Sequence, residues 1–178
     1  KGNIDIIFNP FLFYKKAVYF FIILVIPAFG QRNKVSSHSF SSDTAFINRA
    51  FESYNLIANQ SPDSAIKVIN QALAISKEHK IIFGETNALR ISAELHSLIA
   101  KYDTALLILN RAQECARESK DLKSIINIHN LRGNILLDKG NYEQAILSYK
   151  KVLKLSSEVQ YFSGIAKGYA NLGVGYYL

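Results

Sequence analysis

Four histidines, a single cysteine and a scatter of carboxylates are the groups with which this chain could do chemistry. A metal site needs several such ligands close enough to share one ion, and nucleophilic catalysis needs a thiol or hydroxyl beside a base. His38, His79, His96 and His129 do not pair with one another, or with Cys115, at a metal-ligand interval. No Gly-rich phosphate loop, nucleophile elbow or HExxH motif is present. Glu114 and Glu118 lie one helical turn apart and read as a solvated face rather than an acid/base pair. The lone cysteine rules out an internal disulfide. Because Cys115 stands in register with Ile75 and Leu155, it reads as a small core hydrophobe. No catalytic residue, metal or cofactor is expected, and an enzyme is the weakest of the readings.

The elements that position these residues recur at a fixed interval. Ala65, Ala105 and Ala145 are spaced by 40, with Ile66, Leu106 and Ile146 following them. Tyr102 and Tyr142 keep the interval, as do Ala93, Gly133 and Gly173, and Glu78, Glu118 and Glu158. A period of a few tens of residues marks a stacked repeat, in which one unit cannot cover its own apolar face. Apolar residues three and four apart make each unit a helix, a turn and a second helix. Unit one is expected as helices near 44–59 and 62–78, unit two near 84–99 and 103–119, and unit three near 123–138 and 142–157. A further first helix starts near Gly164. Ser42 or Asp43, Ser61, Asp103 and Asn141 are the candidate N-caps, and Gly140 is free to take a positive φ at the turn. His96 is in register with Leu136 and Tyr176, and His129 with Leu89 and Tyr169, positions where a ring packs between helices.

Asn130-Leu131-Arg132-Gly133-Asn134, Gly140, Tyr142, Ala145 and Tyr149 resemble the tetratricopeptide repeat, and Tyr169-Ala170-Asn171-Leu172-Gly173 with Tyr176 resembles the start of another copy. The resemblance covers about 46–178 and implies an all-α fold, a right-handed α-solenoid of antiparallel helix pairs. Three departures stand out. The period is 40 where the family's is about 34, Arg132 occupies a position where the family normally has Leu, and Pro62 replaces the Tyr of later copies. The 40-residue variety resembles bacterial exported sensor proteins whose repeats precede a membrane span and a signalling domain.

In that family the first helix of each pair lines the concave groove. Carrying the groove-facing pattern across gives Arg90 and Glu94 in unit two and Asn127, Asn130, Asn134 and Asp138 in unit three. Lys167, Asn171 and Val174 follow in the fourth. Residues three and four apart share a helix face, so these side chains should form parallel stripes. Asparagine offers donor and acceptor together, which suits gripping an extended peptide. Asn134 and Asn171 with Lys167 partly resemble the carboxylate clamp of chaperone-binding members, although Asn130 stands where that clamp has a basic residue.

Ahead of the repeats, Lys15-Lys16 precede an uncharged run from Ala17 to Phe29, followed by Gly30 and Gln31. This resembles a secretory signal peptide. The alternative is an uncleaved membrane anchor, for which the apolar run is short of the roughly 20 residues a span requires. Either reading places the repeats outside the cytoplasm, periplasmic or membrane-anchored. Residues 1–14 are unassigned, and the Ser-rich stretch 31–43 reads as a polar linker. With no Met, Lys at position 1 and Leu178 inside an unpaired helix, the chain reads as a fragment of something longer.

The formal charge of +7 falls to +5 without residues 1–30 and spreads along helix faces, with a loose cluster at Lys150, Lys151 and Lys154. A nucleic-acid footprint concentrates charge together with groove-reading or stacking groups. No nucleic-acid partner and no small-molecule substrate are therefore expected. Two functions follow. The first is a non-enzymatic scaffold that binds a protein or peptide segment in its groove, as in the sensor part of a bacterial signalling protein. The second is a membrane-anchored assembly protein of the cell envelope that works through its convex face.

Overall fold

The computed structural model describes residues 38–177, with side chains from Ser42 onward. The signal-like segment 15–30, residues 1–14 and most of the stretch 31–43 lie outside the described residues. Described residues form seven helices and no strand: α1 (His38–Ala58), α2 (Pro62–Glu78), α3 (Ile82–Leu98), α4 (Tyr102–Glu118), α5 (Leu122–Asp138), α6 (Tyr142–Glu158) and α7 (Phe162–Tyr177). None of them is long and apolar enough to cross a membrane.

The 40-residue period resolves into two halves of 20. Each helix from α2 to α6 is 17 residues long, and three residues join it to the next. The middle joint residue takes a positive φ at Lys80, Ala100, Lys120, Gly140 and Gln160. At each of these joints the following N–H reaches back to the carbonyl five residues earlier, as from Lys101 to His96 (2.9 Å) and from Asn141 to Leu136 (2.8 Å). This is the Schellman turn, which satisfies carbonyls left over at a helix C-terminus. The α1–α2 joint differs. There Ser61 N–H donates to Ile57 O (2.8 Å), and Pro62 opens α2 where its missing N–H is not needed.

Two of the four expected caps are observed: Ser61 accepts from Ser64 N–H and Asn141 from Gln144 N–H. Two expected caps do not form, and one cap was not expected. α1 begins at His38, so Ser42 and Asp43 lie inside it rather than capping it. The N-cap of α4 is Lys101, with no side-chain bond to the helix. Asp103 sits in the first turn, where a carboxylate favours the helix dipole, and its side chain pairs with Lys139 across the joint of the next unit. Asp121, which the sequence reading missed, caps α5 through Ser124 N–H (3.1 Å).

Packing explains the repeat. In the even-numbered helices the fully buried positions recur in register: Ala65, Ile69, Ala72 and Ser76; Ala105, Leu109, Ala112 and Ala116; Ala145, Tyr149, Val152 and Ser156. Small residues at the ends of this stripe let successive helices approach closely. Where one helix gains volume its neighbour gives it up. Tyr149 is the largest fully buried side chain, and a methyl group at Gly133 would overlap its ring.

Each helix from α2 onward packs against the next, and α1 shares a core cluster with α2 and α3 through Phe46, Ile47 and Ala50. In addition α3 approaches α5 directly, and α5 approaches α7. The even-numbered helices α2, α4 and α6 make no such backbone approach. The odd-numbered helices thus form a close-set layer, while clefts open between the even-numbered ones. Leu89 (2% exposed), Ile128, Ile135 and Leu109 share one core cluster, with Leu73, Leu106 and Cys115 against it.

Candidate protein-interaction face

The expected groove residues fall on the odd-helix layer. Arg90 and Glu94, one turn apart on α3, form a half-buried ion pair with Nη1 3.3 Å from Oε2. Tyr54 of α1 donates its hydroxyl to the same Glu94 oxygen (3.2 Å). Burial, with Glu94 next, raises the Tyr54 phenol above its usual pKa, so it stays a donor. This row crosses one unit boundary and repeats the 40-residue interval, since Tyr54 and Glu94 are 40 apart.

The next boundary carries an amide row. Asn171 of α7 donates Nδ2 to Asn130 Oδ1 (2.8 Å) and lies 3.4 Å from Asn134 Oδ1. The buried Tyr149 hydroxyl also donates to Asn134 Oδ1 (3.0 Å). Burial, with Asp138 next, pushes the Tyr149 phenol up to about 12. Three of the expected asparagines are therefore brought together, and part of their bonding capacity ties α5 to α6 and α7. The amide of Asn171 that a clamp would turn toward a ligand carboxylate points instead at two asparagine oxygens. Asn127 is half-buried, while Asp138, Lys167 and Val174 are exposed.

The histidines divide. His79 faces Asp43 at 2.9 Å, and His96 Nδ1 lies 2.7 Å from Ser92 O within its own helix. Among the described residues no group of His, Cys, Asp and Glu could hold a metal ion. Cys115 is partly rather than fully buried, and burial, then Glu85 and Glu118, raises its thiol pKa away from the reactive thiolate.

His129 is the exception, and it leads to a second surface. Ile125, His129 and Arg132 lie on the face of α5 opposite Asn127, Asn130 and Asn134, by the 3.6-residue turn. They floor the cleft between α4 and α6, a space of about 700 Å³ that Gln113, Arg117, Lys151 and Lys154 also line. Gln113 joins the floor residues: its Oε1 accepts from Arg132 Nη2 (2.9 Å), and its Nε2 lies 3.4 Å from His129 Nε2. His129 is 8% exposed and its Nδ1 has no hydrogen-bond partner. Burial, then Lys151, Arg132 and Arg117, hold its pKa down to about 4, so it is neutral at pH 7. Burial and Arg117 lower the Arg132 pKa as well.

The sequence held the signs of this cleft separately: Arg132 as a departure from Leu, the cluster of Lys150, Lys151 and Lys154, and His129 in register with Leu89. What it lacked was the knowledge that residues 113, 132 and 154 meet between two even-numbered helices.

Paired helices with a 20-residue half-period define a helical repeat protein. Residues 126–158 match the tetratricopeptide repeat family model, which together with the seven described helices supports a tetratricopeptide repeat protein. Repeats of this family generally mediate protein–protein interactions and are typically non-enzymatic. No curated protein matches the chain.

Proposed function

We propose that the chain is an exported, non-enzymatic scaffold that holds an extended protein or peptide segment against the odd-helix layer, as the sensing part of a bacterial signalling protein. The observation that carries this reading is the convergence of Asn130, Asn134 and Asn171, flanked by half-buried Asn127 and exposed Lys167. A row of amides with a cation beside it can bond a peptide backbone on both its N–H and C=O groups. Export rests on the lysine-flanked apolar run at 15–30, and the sensing role on the resemblance of the 40-residue period to exported sensor repeats.

Site-specific photo-crosslinking tests the face. A crosslinker at position 127 or 167 should trap a partner, and one at exposed Leu107 or Leu147 on the even-numbered helices should not. Asn130→Ala with Lys167→Ala should abolish capture. Asn134 is left intact because it holds the buried Tyr149 hydroxyl. Crosslinks from 107 and 147 alone would move the working surface to the even-numbered helices and favour the assembly reading. Mass spectrometry of the mature N-terminus tests export: a chain starting at Gln31 is the expected product, and an intact segment 15–30 would make it an anchor.

A further inference from the structure

We propose that the cleft between α4 and α6 is a binding site for a small phosphate-bearing ligand. It lies on the face of the repeats opposite the amide row. Arg117, Arg132, Lys151 and Lys154 line it, with Glu158 as its one carboxylate. None of the four cations has an ion-pair partner among the described residues. Gathering like charges without counter-charges opposes folding, and nothing in the repeat requires it.

The matching cleft one unit earlier shows what the scaffold does without a ligand. In register with Gln113, His129, Arg132 and Lys154 stand Leu73, Leu89, Ser92 and Glu114. Leu73 and Leu89 close that space as part of the core. Its register positions hold two cations, Lys77 and Arg111, with three carboxylates, Glu85, Glu114 and Glu118, and Lys77 lies 3.7 Å from Glu85. The positive region is therefore confined to one of these two clefts, which suits a compact anion rather than a nucleic-acid strand running along the face.

The cleft is built as well as charged. Gln113 fixes the Arg132 guanidinium, and a planar fork held in place suits two oxygens of one phosphate. His129, more than nine-tenths buried, lines the same cleft with its Nε2 3.4 Å from Gln113 Nε2. Ile125 and Leu155 supply an apolar floor. A volume of about 700 Å³ falls within the range of small-ligand pockets. An excess of three positive charges calls for more than one negative charge on the occupant, as a pyrophosphate or nucleoside polyphosphate carries.

Calorimetric titration of the full chain at low salt, with pyrophosphate, ATP and inorganic phosphate as probes, tests this. Pyrophosphate or ATP should bind one to one, and Lys154→Glu and Arg132→Ser, which install the residues of the preceding cleft, should each weaken binding by about tenfold or more. Lys67→Glu, the same charge change on an exposed residue of α2, should leave it unaltered. Lys154 is exposed, so its variant tests the site even if Arg132→Ser fails to fold. NMR signals of the His129 ring should move on titration while those of His96 stay. Tighter binding of ATP than of pyrophosphate makes the ligand a phosphate ester, and the reverse makes it a free polyphosphate. The proposal is overturned by no binding at millimolar probe, by equal weakening in Lys67→Glu, or by an aspartate-rich peptide binding where the phosphates do not.

Discussion

Units two (α3–α4) and three (α5–α6) share one backbone and differ in what they put on it, and the differences are of two kinds. In the interior a change in one helix is answered in its partner: Ala93 and Leu109 in unit two become Gly133 and Tyr149 in unit three, with all four positions buried. In the clefts the changes are answered only in part: Leu73 becomes Gln113, which holds Arg132 and lies against His129, but no charge is matched. Leu89 becomes His129 with a vacant ring nitrogen, and Ser92 becomes Arg132 with no carboxylate beside it. Compensated exchanges keep the fold. Uncompensated ones cost stability, and their concentration in one cleft is what separates a site from drift.

The largest effect should come from breaking a compensated pair. Alanine at Gly133 overlaps the Tyr149 ring, and that ring, 1% exposed, has nowhere to turn. Gly133→Ala should cost about 3 kcal/mol in urea unfolding, because overpacking outweighs the gain of about 1 kcal/mol in helix propensity. In a Tyr149→Leu background, which restores the pairing of unit two, the same substitution should be neutral or stabilising. The cycle isolates the coupling between the two positions. Equal costs in both backgrounds would show that the two units pack by different rules.

The uncompensated cleft should respond oppositely. His129→Leu installs the residue of unit two and removes a buried nitrogen without a partner, so at pH 7 it should stabilise by about 1 kcal/mol. The pH dependence carries the sharper comparison. Folded His129 has its pKa held down to about 4, against about 6.5 in the unfolded chain. Below the unfolded value the unfolded state takes up a proton that the folded site refuses. Stability from this group is therefore complete above about pH 7 and is lost as pH falls toward 4. Melting temperatures of the wild type and His129→Leu should diverge across that window. Parallel curves would mean that water reaches the ring, so that neither burial nor the neighbouring cations hold its pKa down.

The interior was legible in the sequence because burial leaves a repeating mark: Ala65, Ala105 and Ala145 are all fully buried, as their spacing implied. Joints at 61 and 141 were legible because Ser and Asn have a local hydrogen bond to make there. The start of α4 was not, since Asp103 carries the chemistry of a cap yet lies two residues inside the helix. Of the groove set, Arg90 with Glu94 and Asn130 with Asn134 could be paired by helical spacing alone. That Asn171 would close on both asparagines depends on how α7 docks, which no local pattern encodes. The cleft was illegible for the same reason, its residues being drawn from three helices.

The joints give the finest comparison. Ala100 and Gly140 are the middle residues of the turns inside units two and three, with φ of 56° and 82°, and both are exposed. A Cβ in this left-handed region costs roughly 1–2 kcal/mol, and a glycine returns part of that through its larger unfolded-state entropy. Ala100→Gly should therefore stabilise by about 0.5–1 kcal/mol and Gly140→Ala destabilise by about as much. A methyl at Gly140 meets no atom within 4 Å, so packing does not enter and the two changes measure backbone conformation alone. Gly140→Asn should cost less than Gly140→Ala, since asparagine tolerates this region. Hydrogen exchange at Asn141 N–H, bonded to Leu136 O, should speed up in Gly140→Ala, and that at Lys101 N–H should slow in Ala100→Gly. If both substitutions destabilise, the turns are not equivalent, and the half-period of 20 describes the helices without describing what joins them.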